Sequence, residues 1–229
     1  INNLHYGWVL GLAEMSTAIY RRIAEGENKY REKLTGWYDD AMASEWTGSL
    51  LDFQFHNEGV PVIPLHYSKG PLVFHQLSLY FGRPKMEEFL ANLMKFHAGD
   101  LISTADVQRV AEETFGVNLQ WYFDDWVRTN GVPEVSYRLD EPRQAEDGEG
   151  WIVTGELKQT ITRKGEPIEG RYFENLLVPF DVHPRDGEPF TKPVIMEGPT
   201  KKFRFRVESE PRRIRVNENK EMLIKTKRM

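Results

Sequence analysis

Few residues of this chain are placed to do chemistry. Tyr67 stands just ahead of a glycine that opens an apolar helical run, in Tyr67-Ser68-Lys69-Gly70-Pro71-Leu72-Val73-Phe74. An aromatic at a helix start is commonly a packing residue, and a phenol there is also a neutral hydrogen-bond donor at pH 7. Lys69 reads as structural, its stem lying along the helix start rather than offering a cation to a substrate. The histidines are His5, His56, His66, His75, His97 and His183, and no two stand four residues apart with a glutamate after the first. The spacing of nine between His66 and His75 fits no single helix face, so they read as solvated or core histidines rather than a metal pair. Asp124 and Asp125 are adjacent, and neighbouring helix residues point in different directions, which disfavours a shared acid–base site. Trp121, Tyr122, Phe123 and Trp126 could form an aromatic platform, but core packing is the better account of them. Cysteine is absent, which removes disulfides, thiolate metal sites and cysteine nucleophiles and leaves the compartment undecided.

These residues sit in a chain whose periodicity changes once. With 40% hydrophobic and 28% charged residues over 229 positions it has the composition of one large or two modest globular domains. No run of about 18 apolar residues occurs, so no transmembrane segment is expected. Up to about Gly131 the apolar positions keep helical spacing, as in Met86, Phe89, Leu90, Leu93 and Met94 and again in Val107, Val110 and Ala111. Ser103 with Asp106 resembles a capping box, and Gly116 falls where that helix should stop. A further helix near Asn118 would bury Leu119, Tyr122, Phe123 and Trp126. After Gly131-Val132-Pro133 the period becomes two, with turns at Asp147-Gly148, Lys164-Gly165, Asp186-Gly187 and Glu197-Gly198-Pro199. Strands are expected at 151–160, 171–182, 202–208, 213–217 and 222–225, forming an antiparallel β-sandwich. The division predicted is therefore a helical part, 1–135, and a β-sandwich domain, 136–229.

The net charge of −5 hides a basic C-terminal stretch containing Lys201, Lys202, Arg204, Arg206, Arg212, Arg213 and Arg215. Lys202, Arg204 and Arg206 alternate with Phe203, Phe205 and Val207, the pattern of a strand with one solvated face rather than of a phosphate-tracking surface, so no nucleic-acid partner is expected.

The Tyr67-Ser68-Lys69-Gly70 segment closely resembles the Y-x-K-G motif of the aminopeptidase N family. About fifty residues on, Trp121-Tyr122-Phe123-Asp124-Asp125-Trp126 with Gly131-Val132-Pro133 resembles that family's helix ending in W-x(4)-G-x-P. Glu156-Leu157-Lys158-Gln159 and Leu177-Val178-Pro179-Phe180-Asp181-Val182 are similar to the small sandwich domain that follows its catalytic domain. The resemblance runs from about Trp8 to the end. It implies an α+β multidomain fold: the helical C-terminal half of a thermolysin-like (gluzincin) catalytic domain, then an antiparallel β-sandwich. It also implies a zinc exopeptidase that removes N-terminal residues from peptides, with H-E-x-x-H and a glutamate on the next helix as ligands, the fourth position open to water, and the H-E-x-x-H glutamate as general base. Tyr67 matches the family tyrosine that donates its hydroxyl hydrogen to the oxyanion formed on the attacked carbonyl.

The pattern departs at the metal. H-E-x-x-H is absent. The family's W-L-x-E-G segment, whose glutamate is the third ligand, corresponds to Trp8-Val9-Leu10-Gly11-Leu12-Ala13-Glu14-Met15; aligned on Gly11 the ligand position is Leu10, and aligned on Trp8 the glutamate is lost. Glu14 lies a full turn further on. No cofactor is thus expected in this chain, although zinc is expected in the complete family enzyme. The chain begins at Ile1 without a basic stretch and apolar core, as expected of a processed product or a piece of a longer chain. The function expected is the C-terminal portion of a zinc metallo-aminopeptidase, inactive alone, whose partners are a peptide substrate or the missing N-terminal part of the enzyme. The alternative is a non-catalytic, peptidase-like module that binds a peptide or protein.

Overall fold

The change of period coincides with a division of the chain into two units, 1–131 and 132–229. The computed structural model describes residues 6–43, 48–51, 63–97, 99, 102–163 and 166–229. His5, His56 and the turn at Lys164-Gly165 lie outside the described residues. The chain has an α+β fold, with six α-helices and two sheets among the described residues.

The first unit is helical: α1 (Tyr6–Glu25), α2 (Glu27–Ala43), a π-helical turn (Ile63–Lys69) running directly into α3 (Gly70–Phe81), then α4 (Arg83–His97), α5 (Thr104–Phe115) and α6 (Gln120–Phe123), which continues as a second π-helical turn (Asp124–Arg128). α3 is central, because every residue from Gly70 to Leu77 is buried. Pro71 is tolerated in its first turn, where its missing N–H would have no intrahelical partner. Phe74 stacks on Phe89 of α4, and Phe81 on Phe115 of α5 with ring centroids 4.4 Å apart. α4 buries Met86, Phe89, Leu90 and Leu93, but Met94 is 71% exposed, since the four buried residues already fill the inward stripe and Met94 falls at its rim. α5 begins in the expected capping box. Ser103 Oγ accepts from the Asp106 amide at 3.2 Å, and Asp106 Oδ2 accepts from the Ser103 amide at 2.9 Å. Gly116 ends the helix with φ 74°, a left-handed conformation that favours glycine. Leu119, Tyr122, Phe123 and Trp126 are all buried, and the Tyr122 hydroxyl donates to the Val73 carbonyl of α3.

The second unit holds, among the described residues, nine strands: β1 (Val132–Leu139), β2 (Arg143–Gln144), β3 (Trp151–Arg163), β4 (Glu166–Ile168), β5 (Leu176–Pro184), β6 (Phe190–Met196), β7 (Thr200–Val207), β8 (Pro211–Val216) and β9 (Lys225–Arg228). In the larger sheet β3 pairs antiparallel with β1, β2, β4 and β7, and β9 joins β1 in parallel. The smaller sheet runs β6-β5-β8. Phe180 of β5 meets Phe203 and Phe205 of β7 at 4.7 and 5.5 Å, so the two sheets share a core. No helix interrupts this unit among the described residues.

Several details differ from the sequence expectation. β1 starts at Val132, inside the stretch expected to be helical, because Gly131-Val132-Pro133 reads locally as a turn while its partners on β3 run from Gly155, opposite Leu139, to Thr162, opposite Val132. β6 was not anticipated: it is an edge strand with exposed residues and Pro193, so it shows no alternation. The chain end forms its strand at Lys225 rather than Met222, since Asn217 (φ 55°) brackets both the amide and the carbonyl of Met222 and holds that segment in a turn. The pairing is not wholly antiparallel. β9 returns to β1 after a long path, so no hairpin dictates its direction.

Two contacts fix this unit. Buried Gln159 donates Nε2 to the carbonyls of Phe173 and Gly198 and accepts from the Phe173 amide, tying two loops to β3. Gly155 is pressed so closely that an added Cβ would lie 2.1 Å from the Arg138 carbonyl oxygen and 2.7 Å from the Phe203 ring. Gly155→Ala is expected to lower unfolding free energy by about 3 kcal/mol through overpacking, measured by urea denaturation; an unchanged midpoint would mean the backbone yields.

Candidate functional site

The π-helical turn before α3 sorts its side chains sharply. Leu65, His66, Ser68 and Lys69 are buried, whereas Tyr67 is 38% exposed. The buried residues explain the sorting. Lys69 donates Nζ to the carbonyl of Gly48 at 2.8 Å and reaches that of Thr129 at 3.5 Å, so its ammonium is solvated by backbone instead of water. Ser68 Oγ lies 3.5 Å from Asp40 of α2. On the α1 side, Gly11 is buried against the start of α3: a Cβ there would be 3.0 Å from the Gly70 carbonyl carbon and 3.3 Å from the Pro71 nitrogen. The turn is therefore clamped between α1, α2 and the Gly48 and Thr129 carbonyls, and Tyr67 is left pointing outward.

Tyr67 opens on a groove of about 460 Å³ whose walls include Glu14 of α1, Glu32, Lys33, Trp37 and Asp40 of α2, and Ser68. Lys33 lies 3.1 Å from the Glu14 carboxylate and 5.7 Å from the centre of the Trp37 ring. Glu32 is held by Lys29 at 2.7 Å. Such accessible ion pairs contribute under about 1 kcal/mol and exchange readily with solvent or ligand. Lys33, Trp37 and Asp40 recur at intervals of four and three, one face of α2; that spacing was the available sequence signal for this wall, hidden among the many charges of the helix.

The other residues singled out from sequence fall elsewhere. His75 is buried with Nδ1 2.8 Å from the Tyr30 hydroxyl, and burial, helped by Arg83, pushes its pKa down to about 3. His66 is buried too, and burial with the charge of Lys69 lowers its pKa to about 4. Neither lines the groove. Asp124 is engaged by Arg128 and Gln120 on the surface. Trp121, half-buried, packs edge-on to Tyr80 at 5.4 Å, and Tyr122, Phe123 and Trp126 are core residues. Leu10 and Glu14 lie on α1, Leu10 half-buried and Glu14 in the ion pair with Lys33. Among the described residues no group of three or more histidine, cysteine, aspartate or glutamate side chains is placed to hold a metal ion. No helix among them is long and apolar enough to cross a membrane.

No protein-family model and no curated protein matches the chain. Among solved structures it is similar to that of Legionella pneumophila aminopeptidase A in complex with aspartic acid, with a TM-score of 0.63 and 14% identity over 97% of this chain. The chain spans 26% of that aminopeptidase. At such identity the likeness is one of fold.

Proposed function

We propose that this chain is the C-terminal portion of a zinc metallo-aminopeptidase of the aminopeptidase N type. Its helical unit corresponds to the C-terminal half of a thermolysin-like catalytic domain, and its second unit to the β-sandwich that follows. In the complete enzyme, which removes N-terminal residues from peptides, this part supplies Tyr67 and one wall of the substrate groove. The observation that carries the reading is the placement of Tyr67: exposed while residues 65, 66, 68 and 69 of its clamped turn are buried, and opening on a groove, within a fold shared with an aminopeptidase. The phenol donates its hydrogen to the oxygen that becomes negative when the peptide carbonyl is attacked.

The described residues at the groove do not fit zinc. A catalytic zinc needs three protein ligands converging on one point. On α1, Leu10 stands at the ligand position when the segment is aligned on Gly11, and it is half-buried outside the groove lining. The nearest acid, Glu14, is neutralised by an ammonium where a divalent cation would need it free. No step is therefore routed through a metal held by these residues. This chain alone is expected to bind no zinc at the groove and to leave aminoacyl anilides intact, whereas the full-length protein is expected to hold one zinc and to turn them over. Metal analysis after dialysis and an anilide assay on both proteins test this. Chelator-sensitive turnover by the 229-residue chain, or a full-length protein without zinc, would overturn the proposal.

The Lys33–Glu14 pair favours a second reading, a non-catalytic module that holds a peptide or protein partner in the same groove. A zinc-free full-length protein that still binds peptides, and loses them on Tyr67→Ala, is its expected signature.

A further inference from the structure

The basic C-terminal stretch divides in the fold. On β7, Lys202, Arg204 and Arg206 point outward and alternate with the buried residues Phe203, Phe205 and Val207. The later arginines do something different. β8 pairs only with β5 and β9 only with β1, so each is an edge strand of its own sheet. A cleft of about 440 Å³ lies where these edges meet the segment after β1, and Arg212, Arg213, Arg215 and Arg228 line it together with Asp140 and Glu141 over an apolar floor that includes Leu139 and Ile214. Charged edges ordinarily guard against strand pairing, and lysine serves that purpose well. Here the lysines of β9, Lys225 and Lys227, are not in the cleft, and every cation lining it is a guanidinium.

The charges of the cleft are unequally engaged. Arg213 is held by Glu218 at 2.9 Å and lies 3.0 Å from His183 Nε2. Asp140 accepts from Arg138 and, at 2.9 Å, from Thr154 Oγ1. The side chains of Arg212, Arg215 and Arg228 make no hydrogen bond or ion pair among the described residues, and neither does that of Glu141. Three uncommitted guanidinium groups facing one uncommitted carboxylate leave a surplus of two positive charges. The connection between the two edges is also fixed. Asp181 accepts from Thr191 Oγ1, the Glu218 amide and Asn219 Nδ2, and Asn217 brackets Met222, so the arginines of β8 and the one of β9 are held at a set spacing.

We propose that this cleft is a binding site for the phosphate group of a small phosphate monoester. The surplus charge matches a dianion, guanidinium forks match phosphate oxygens in pairs, and the volume suits a small molecule with its carbon end on the Leu139 and Ile214 floor. The site is independent of the groove at Tyr67 and of any peptidase role.

An NMR titration of the chain with inorganic phosphate and with glycerol phosphate, at constant ionic strength in chloride, tests the assignment. Saturable shifts are expected at 139–142, 211–215 and 228. The triple variant Arg212→Gln/Arg215→Gln/Arg228→Gln is expected to weaken binding by at least about tenfold, while Arg204→Gln, outside the cleft, leaves it unchanged. Glu141→Gln, which removes the opposing carboxylate, is expected to tighten binding severalfold, a gain that misfolding cannot produce. Absence of saturable binding, undiminished binding by the triple variant, or no gain in Glu141→Gln would overturn the site. Succinate binding as tightly as glycerol phosphate would overturn the phosphate assignment.

Discussion

Under the proposed aminopeptidase function, Tyr67→Phe in the full-length protein is expected to lower kcat by about two to three orders of magnitude, the loss typical of one oxyanion donor, with KM little changed. The two effects separate because the phenol's hydrogen bond is made to charge that develops only as the carbonyl is attacked. Ground-state binding does not use it. Phenylalanine keeps the ring and its contacts, and the hydroxyl it removes belongs to a partly exposed side chain, so folding should be untouched. Steady-state kinetics of the full-length protein on aminoacyl anilides, with the wild type and Tyr67→Phe matched for zinc content, is the measurement. A near-normal kcat would discard the role of Tyr67, and a change confined to KM would recast the residue as part of the groove wall.

The folded chain is also expected to lose stability in mild acid, by about 4 kcal/mol between pH 7 and pH 5. His66 and His75 are buried and neutral, with values pushed down to about 4 and about 3 from an ordinary 6.5. Below pH 6.5 the unfolded chain therefore takes up protons that the folded chain refuses, and stability falls as pH decreases towards those folded values. At about 1.4 kcal/mol per pH unit and histidine, 1.5 units of this window for two residues give the figure above. That is a large share of the roughly 5–15 kcal/mol of a typical domain. Carboxylates do not confuse the measurement. Glu27, lowered by its bond from Arg83, and Asp106, lowered by Ser103, start from ordinary values of 4.5 and 3.8 and act at lower pH. Urea midpoints at pH 7.5, 6 and 5 for the wild type and for His66→Gln/His75→Gln check this: the double variant is expected to show a nearly flat profile, and a parallel decline in both proteins would refute the attribution.

Helical and strand periods, the capping box at Ser103, the glycine stop at 116 and the inward faces of α5 and, Met94 apart, of α4 were legible in the sequence, because each is set by residues within one or two turns. What escaped notice depends on distant partners. β6 is a strand only because β5 offers it a ladder, and β9 begins after Ile224 because Asn217 pins Met222 in a turn. At the groove, Tyr67 could be singled out, but Lys33, Trp37 and Asp40 could not, since a helix with acids and bases on most faces does not reveal which of them a neighbouring turn will meet. The convergence of Arg228 with Arg212 and Arg215 was equally hidden, being a product of how two edge strands end up side by side.

The contact between Gly11 and Gly70 has a consequence for how the groove can change. The separation of α1 from the start of α3 is determined there by the thickness of two backbones in touch, not by the rotamers of intervening side chains. Replacing a packed side chain can open or shrink a gap by degrees, but at Gly11 the only available change is growth, and growth wedges α1 away from the turn that carries Tyr67. Variation that retunes this groove is therefore channelled into the α2 wall, where Lys33, Trp37 and Asp40 can be exchanged without moving the tyrosine.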